Sequence, residues 1–312
     1  MIEFVVLGSG GSIPLPGRNH PAYLIRYEGW NLLFDAGEDV QRRFVEANAG
    51  MNKHMAIFIS HIHADHVLGL GGLLLRFSLL GRERPLQVFG PAPLLDFVRV
   101  NQNTINLGTT FPTTVHAIEE GIVFEQEDAG IRAFQVDHRG FTLGYEFIYQ
   151  RATGPFLPEK AREIGVPEGP LWGKLASGQT IELESGVSVE PEQVTGERDK
   201  PIKIVYSGDT RPCNAVRESA KNANLLVHEA MYAEEHADLA DERGHTTARE
   251  AAEIAEDADV ELLLLTHYSP RYGDGQTILS EAKEVFANSM LARDLMRITF
   301  DSDGNHTINL PE

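Results

Sequence analysis

Ser60-His61-Ile62-His63-Ala64-Asp65-His66 sets three imidazoles and one carboxylate within six residues, directly behind the apolar run Ala56-Ile57-Phe58-Ile59. Imidazole nitrogen and carboxylate oxygen are the ligands that suit zinc and similar divalent ions. The apolar run reads as a short buried strand, so alternation places His61 and His63 on one face. Asp65 and His66 then turn toward a second point as the chain leaves the strand. Other polar positions also follow expected buried strands: His138 after Phe134-Gln135-Val136, Asp209 after Ile204-Val205-Tyr206, His228-Glu229 after Leu225-Leu226-Val227, and His267 after 262–266. Strand ends along one sheet edge are where α/β proteins gather their sites. The set divides into two ion sites. His61, His63 and His138 serve one, Asp65, His66 and His267 the other, and Asp209 bridges them. A pair of ions can hold both the attacking and the leaving oxygen of an in-line phosphoryl displacement.

The elements that must position these groups are legible from periodicity and turn signals. Strands are expected over 2–7, 23–27, 31–35, 86–89, 122–125, 131–136, 142–149, 203–206, 225–228, 262–265, 297–300 and 307–310. Helical spacing covers 39–47, 70–80, 92–106, 246–255 and 278–287. Gly8-Ser9-Gly10-Gly11 follows the first strand, but Pro14 and Pro16 come next instead of a helix start. That excludes a dinucleotide-binding turn and a P-loop. Across 151–178, Gly154-Pro155, Leu157-Pro158, Val166-Pro167 and Gly169-Pro170 crowd turn signals around one amphipathic stretch at 159–164. This reads as an excursion from the body, because core-like patterning resumes at Ile202. Two halves, each of strands mixed with helices, suggest two sheets packed face to face with helices outside.

Composition sets bounds. The 312 residues are 42% hydrophobic and 23% charged, the profile of a soluble globular protein. No apolar run approaches the roughly 20 residues that span a bilayer, so no membrane partner is expected. Lys and Arg number 27 against 46 Asp and Glu, a formal charge of −19. Taken alone this disfavours nucleic acid, but net charge governs solubility and steering rather than what one cleft binds. Cys213 is the only cysteine, which excludes an intrachain disulfide and fits a reducing cytoplasm. Met1-Ile2-Glu3-Phe4 lacks the basic stretch of a signal peptide, so a cytoplasmic location is expected.

The metal motif His61-x-His63-x-Asp65-His66, followed in order by His138, Asp209 and His267, resembles the metallo-β-lactamase superfamily. Within it the chain resembles the ribonuclease Z family of tRNA 3′-processing endonucleases. That likeness rests on Ser207-Gly208-Asp209-Thr210, His228-Glu229-Ala230, Gly244-His245-Thr246-Thr247-Ala248, the run from Thr266 to Tyr272, and Gly169-Pro170-Leu171-Trp172-Gly173-Lys174. The resemblance implies one α+β/α/β domain over 1–312, a four-layer αβ/βα sandwich. The excursion at 151–178 becomes a flexible arm that serves as a tRNA exosite. Two zinc ions per chain are implied, with manganese or another divalent ion as the substitute. The implied partners are precursor tRNA and a second copy of the chain, with no DNA. Asp65 would orient the attacking water and accept its proton, His245 would protonate the departing 3′ oxygen, and Glu229 would hold His245. Ser269, Arg271, Arg18, Asn19 and Lys174 resemble substrate contacts, although Pro14-Leu15-Pro16-Gly17-Arg18-Asn19 lacks the lysine usual in the family. Two alternatives stay open: a hydrolase of the same fold acting on a small phosphodiester, sulfate ester or lactone, and a non-catalytic RNA-binding scaffold.

Overall fold

Phe34, Phe58 and Phe89 stack across three neighbouring strands, with ring centroids 5.2 Å apart at each step. Such a ladder fixes both the order and the register of the strands that carry it. The computed structural model describes residues 1–311 and places the ladder inside an eight-stranded sheet. The chain first lays down β1 (Ile2–Gly8), β2 (Ala22–Tyr27), β3 (Trp30–Phe34), β4 (His54–Phe58), β5 (Leu86–Gly90) and β6 (Thr113–Ala117). It then enters a second sheet with β7 (Gly121–Gln126), β8 (Ala129–His138) and β9 (Gly140–Tyr149). After a small separate hairpin, β10 (Ile181–Glu182) and β11 (Ser188–Val189), that sheet gains β12 (Ile202–Tyr206), β13 (Leu225–Glu229), β14 (Leu263–Thr266) and β15 (Ser289–Leu291). The last hairpin, β16 (Arg297–Phe300) and β17 (His306–Asn309), returns to the first sheet. The resulting orders are β17-β16-β1-β2-β3-β4-β5-β6 and β15-β14-β13-β12-β9-β8-β7.

The two sheets pack face to face through an aromatic and aliphatic core that includes Phe4, Tyr23, Phe58, Tyr145, Phe147 and Leu264. Over the outer face of the first sheet lie α1 (Val40–Glu46), α3 (Gly69–Leu79) and α4 (Pro93–Thr104), with the short α2 (Ala64–Val67) leading into α3. The excursion carries α5 (Pro158–Ile164) and α6 (Pro170–Ala176). Beyond it come α7 (Asn214–Ala220), α8 (Ala237–Arg243), α9 (Ala248–Asp257) and α10 (Gln276–Val285), of which α7, α9 and α10 cover the second sheet. Thr247 caps α9 and exchanges hydrogen bonds with Glu250, which fixes where the helix begins. The expected four-layer αβ/βα sandwich is what forms.

Strand direction decides where chemistry can gather. β3 to β6 run parallel, as do β12 to β15. β8 and β12 are each antiparallel to β9 and so share one direction. The ends of β4, β8, β12, β13 and β14 therefore meet at one edge. The excursion leaves after Tyr149 and returns before Ile202, at the opposite edge.

Three expectations change. β4 stops at Phe58, so His61 and His63 stand on an extended stretch beyond the ladder rather than on a strand. β6 and β15 go unforeseen because one is a Thr-rich, half-exposed edge strand and the other only three residues long. The excursion also runs past 178 to Thr195, which bridges back to Phe156. It encloses its own small core of Ala161, Val166, Leu175, Ile181, Val189 and Val194. Two-residue strands give no readable period, which is why the boundary set at 178 falls short.

Gly69 opens α3 against the loop after β3, where a β-carbon would come within 1.9 Å of the Gly37 carbonyl oxygen. Gly69→Ala should cost at least the roughly 1–3 kcal/mol typical of overpacking. The expected sign is a lower urea midpoint with an unchanged m-value.

Candidate active site

β4, β8, β12 and β14 each deliver ligand-type side chains to the shared edge. His61 and His63 follow β4, Asp65 and His66 occupy the first turn of α2, His138 ends β8, Asp209 follows β12 and His267 follows β14. His61, His63, His138 and Asp209 bring one ligand atom each to a common point, and Asp65, His66 and His267 do so at a second. The separations are instructive. His63 Nδ1 lies 3.3 Å from His138 Nε2, and His267 Nε2 lies 3.3 Å from both His66 Nε2 and Asp65 Oδ2. Asp209 Oδ2 is 3.4 Å from His66 Nε2, 3.5 Å from His267 Nε2 and 3.9 Å from His61 Nε2. Ligands about 2.0–2.1 Å from one tetrahedral ion sit roughly 3.3–3.4 Å from each other, so these distances are those of donors converging on a cation. Buried His61 Nε2 and Asp209 Oδ1 also lack any hydrogen-bond partner, which would be costly if nothing met them. The residues fit two divalent ions.

The ring tautomers are set from behind. Ser60 Oγ holds His61 Nδ1 at 3.0 Å, His138 Nδ1 donates to the Gly244 carbonyl at 2.6 Å, and His66 Nδ1 donates to Asp35 Oδ2 at 2.7 Å. Each contact turns Nε2 toward the site. Burial holds His61, His63 and His138 below the usual imidazole range, leaving neutral rings with lone pairs to offer. Burial opposes a charge on Asp209, yet His267 and His66 keep its carboxyl well below the ordinary range. Asp35 goes unnoticed in the sequence although it occupies the same strand-end position as Asp209, behind Leu32-Leu33-Phe34. It accepts from Ser60 N (2.7 Å), Ser60 Oγ (2.8 Å), His66 Nδ1 and Tyr206 Oη (2.6 Å), so it ties β4, α2 and β12 together. Its φ of 56° is one that Asp tolerates better than most residues.

His245 stands beside the metal set, between α8 and the cap of α9, its ring centroid 5.0 Å from that of His138 and 5.7 Å from that of His267. Glu229 Oε1 accepts from His245 Nδ1 at 2.8 Å, while backbone N–H groups of Thr210 and Met231 also donate to the Glu229 carboxylate. Burial would lower the His245 pKa, but the Glu229 charge and hydrogen bond outweigh it and push the imidazole up to about 9. The group is an acid with its proton on at neutral pH. Strand alternation turns His228 away from Glu229, and its Nδ1 donates to the Glu229 backbone oxygen instead.

The expected substrate contacts fall in different places. Ser269 Oγ accepts from the Arg271 backbone at 3.4 Å, and the exposed Arg271 guanidinium lies 5.3 Å from the Tyr232 ring, next to His245. Lys174 is exposed on α6, within the excursion. Arg18 and Asn19 face inward. The Arg18 guanidinium stacks 3.4 Å over Tyr268 and donates to its carbonyl, and the Asn19 amide donates to Asp294.

A family model described as "Beta-lactamase superfamily domain" matches residues 177–268, and one described as "Anti-Pycsar protein Apyc1" matches residues 2–140. Curated ribonuclease Z proteins match nearly the whole chain. That of Methanosarcina acetivorans is 41% identical over 299 residues, covering 96% of this chain and 98% of the relative. That of Gemmatimonas aurantiaca is 42% identical over 295 residues, covering 92% of each. The crystal structure of the short form of human tRNase Z superposes with a TM-score of 0.68 at 24% identity, covering 95% of this chain and 98% of that one, which shows the shared metallo-β-lactamase fold.

Asp35→Ala would leave His66 Nδ1, Tyr206 Oη and Ser60 without their acceptor. Loss of such a supporting group typically weakens metal binding by about 10–100-fold. A zinc competition titration should show a loss of that size, with the two-sheet fold still present by circular dichroism.

Proposed function

The chain belongs to the ribonuclease Z family, and from that premise we propose that it removes the 3′ trailer of precursor tRNA by hydrolysis, leaving a free 3′ hydroxyl on the tRNA. The observation that carries this reading is the convergence of Asp65, His66, His267 and Asp209 at 3.3–3.5 Å, with His245 and Glu229 alongside. Two zinc ions, held by His61, His63 and His138 and by Asp65, His66 and His267 with Asp209 between, would polarise the scissile phosphate and make a nearby water acidic. Asp65 orients the attacking water and takes its proton, while the Ser12 N–H donates to its Oδ2 at 2.9 Å and fixes the carboxylate. His245 has Nδ1 committed to Glu229, so Nε2 carries the proton that the departing 3′ oxygen takes. Arg271 and Ser269, at the mouth beside His267, suit the phosphates flanking the cut.

The acidic chain needs other means of gripping RNA. The excursion is the candidate exosite, since it is organised around its own small core and Lys174 is exposed on it. Contacts of this kind position a backbone without reading bases. Its stems lie at the edge opposite the metal set, which favours work on the site of a second copy. The dimer reading is further supported by Leu68, Leu75 and Leu79, exposed around α3 directly behind the metal motif. A cytoplasmic location fits both this substrate and a chain with one cysteine. Among the described residues no helix is long and apolar enough to cross a membrane.

The direct test is incubation with a tRNA transcript bearing a 3′ trailer, with the cut site and end chemistry mapped. A tRNA 3′ hydroxyl and a trailer 5′ phosphate are expected. An inert transcript together with rapid hydrolysis of a small phosphodiester would transfer the protein to small-molecule hydrolysis. His245→Ala should lower kcat by about 10²–10⁴-fold, the usual worth of a general acid, with bound metal unchanged, and Glu229→Gln should do less. Sedimentation should give a dimer for the natural chain and a monomer for the double variant Leu75→Glu, Leu79→Glu.

A further inference from the structure

Resting on the two-metal reading above, we propose that Asp294 is a positioning residue that clamps the loop 9–19 shut and thereby sets both Asp65 and His267. Asp294 lies between β15 and β16, where the chain crosses from one sheet to the other, and it is buried. Its Oδ1 accepts from Ser9 N at 2.9 Å and Ser9 Oγ at 2.7 Å. Its Oδ2 accepts from Asn19 N at 2.8 Å and Asn19 Nδ2 at 3.1 Å, with Arg43 Nη2 at 3.4 Å. One carboxylate thus binds both ends of a loop that begins after β1 and ends before β2. Charge-assisted bonds to backbone N–H groups are among the stronger hydrogen bonds a protein makes.

What the clamp holds is the active edge. Ser9 gives its carbonyl oxygen to His267 N at 3.0 Å and to Thr266 Oγ1 at 3.3 Å. His267 has a φ of 56°, a conformation most residues avoid, so an outside partner is needed to keep it there. Gly11 lies so close to His267 that a β-carbon would come within 2.8 Å of its ring. One residue later, Ser12 N donates to Asp65 Oδ2. Arg18 closes the far side by donating to the Tyr268 carbonyl at 2.7 Å. The loop therefore touches two members of the set Asp65, His66 and His267 and none of His61, His63 and His138 through these bonds. That asymmetry separates a positioning role from general support of the fold: loosening the clamp should disturb one ion site and spare the other.

The test is Asp294→Asn in the full chain, which keeps the shape but turns an N–H toward donors on Ser9 or Asn19. Zinc is titrated against a chromophoric chelator, and the visible spectrum of the cobalt(II)-loaded protein is recorded. One zinc equivalent should weaken by at least about tenfold, the low end for a lost supporting partner, while the other stays within about twofold. The cobalt spectrum should change in the second equivalent only, amide exchange over 9–19 should quicken, and kcat on trailer-bearing tRNA should fall more than KM rises. Two wild-type-like equivalents, or equal weakening of both with a lowered melting temperature, would overturn the proposal. If Asp294→Asn does not fold, Ser9→Ala decides, since it removes only the hydroxyl bond. It should weaken the same equivalent by roughly threefold, near the low end for one lost hydrogen bond, and no selective effect would overturn the proposal. A natural protein that takes up only one zinc would contradict the two-metal reading instead.

Discussion

Removing a carboxylate from water is costly unless its charge is met, and at the seam between the two sheets this protein does so at both Asp35 and Asp209. The two are met differently. Asp35 is enclosed by four donors from the stretch just after β4, from α2 and from β12, so its charge is fully used inside the protein. Asp209 points one oxygen among imidazoles and leaves the other without a partner. The first carboxylate joins the halves, and the second is held ready for cations by that junction. The aromatic ladder through Phe34, Phe58 and Phe89 gives the seam a fixed floor.

This arrangement separates the metal set from the excursion proposed to grip RNA. The metal set needs strand ends that converge, and strand direction provides them at a single edge. The excursion springs from the other edge, between β9 and β12, where it can carry its own core without disturbing the seam. An overall charge of −19 is compatible with an RNA substrate when cations supply the positive charge locally and a projecting element supplies reach.

Much of the site was legible in the sequence because its residues follow buried strands. His138, Asp209 and His267 announce themselves in that way, and the spacing from His61 to His66 does the same for the metal motif. Glu229 also showed in the strand-end pattern, but its role, and His245 altogether, came from family likeness. Asp35 stands where the strand 31–35 was expected to end and so read as part of that strand, and nothing marked it as an outer support. Asp294 was illegible for another reason: its partners Ser9 and Asn19 are more than 270 residues away, and local pattern holds no trace of such bonds. The inward turn of Arg18 and Asn19 follows from the same long-range contacts. In the fold, long strands and amphipathic helices were readable, while β6, β15 and the hairpin inside the excursion were too short or too exposed to show a period.

Two ions that share Asp209 would require the seven side chains from four strand ends to form one preorganised site. Anomalous diffraction at the zinc edge, from crystals of the zinc-loaded protein, tests it most directly. Two peaks about 3.5–4 Å apart, both in contact with Asp209 and flanked by the two histidine sets, are the predicted result. A single peak, or two ions with Asp209 touching neither, would contradict it.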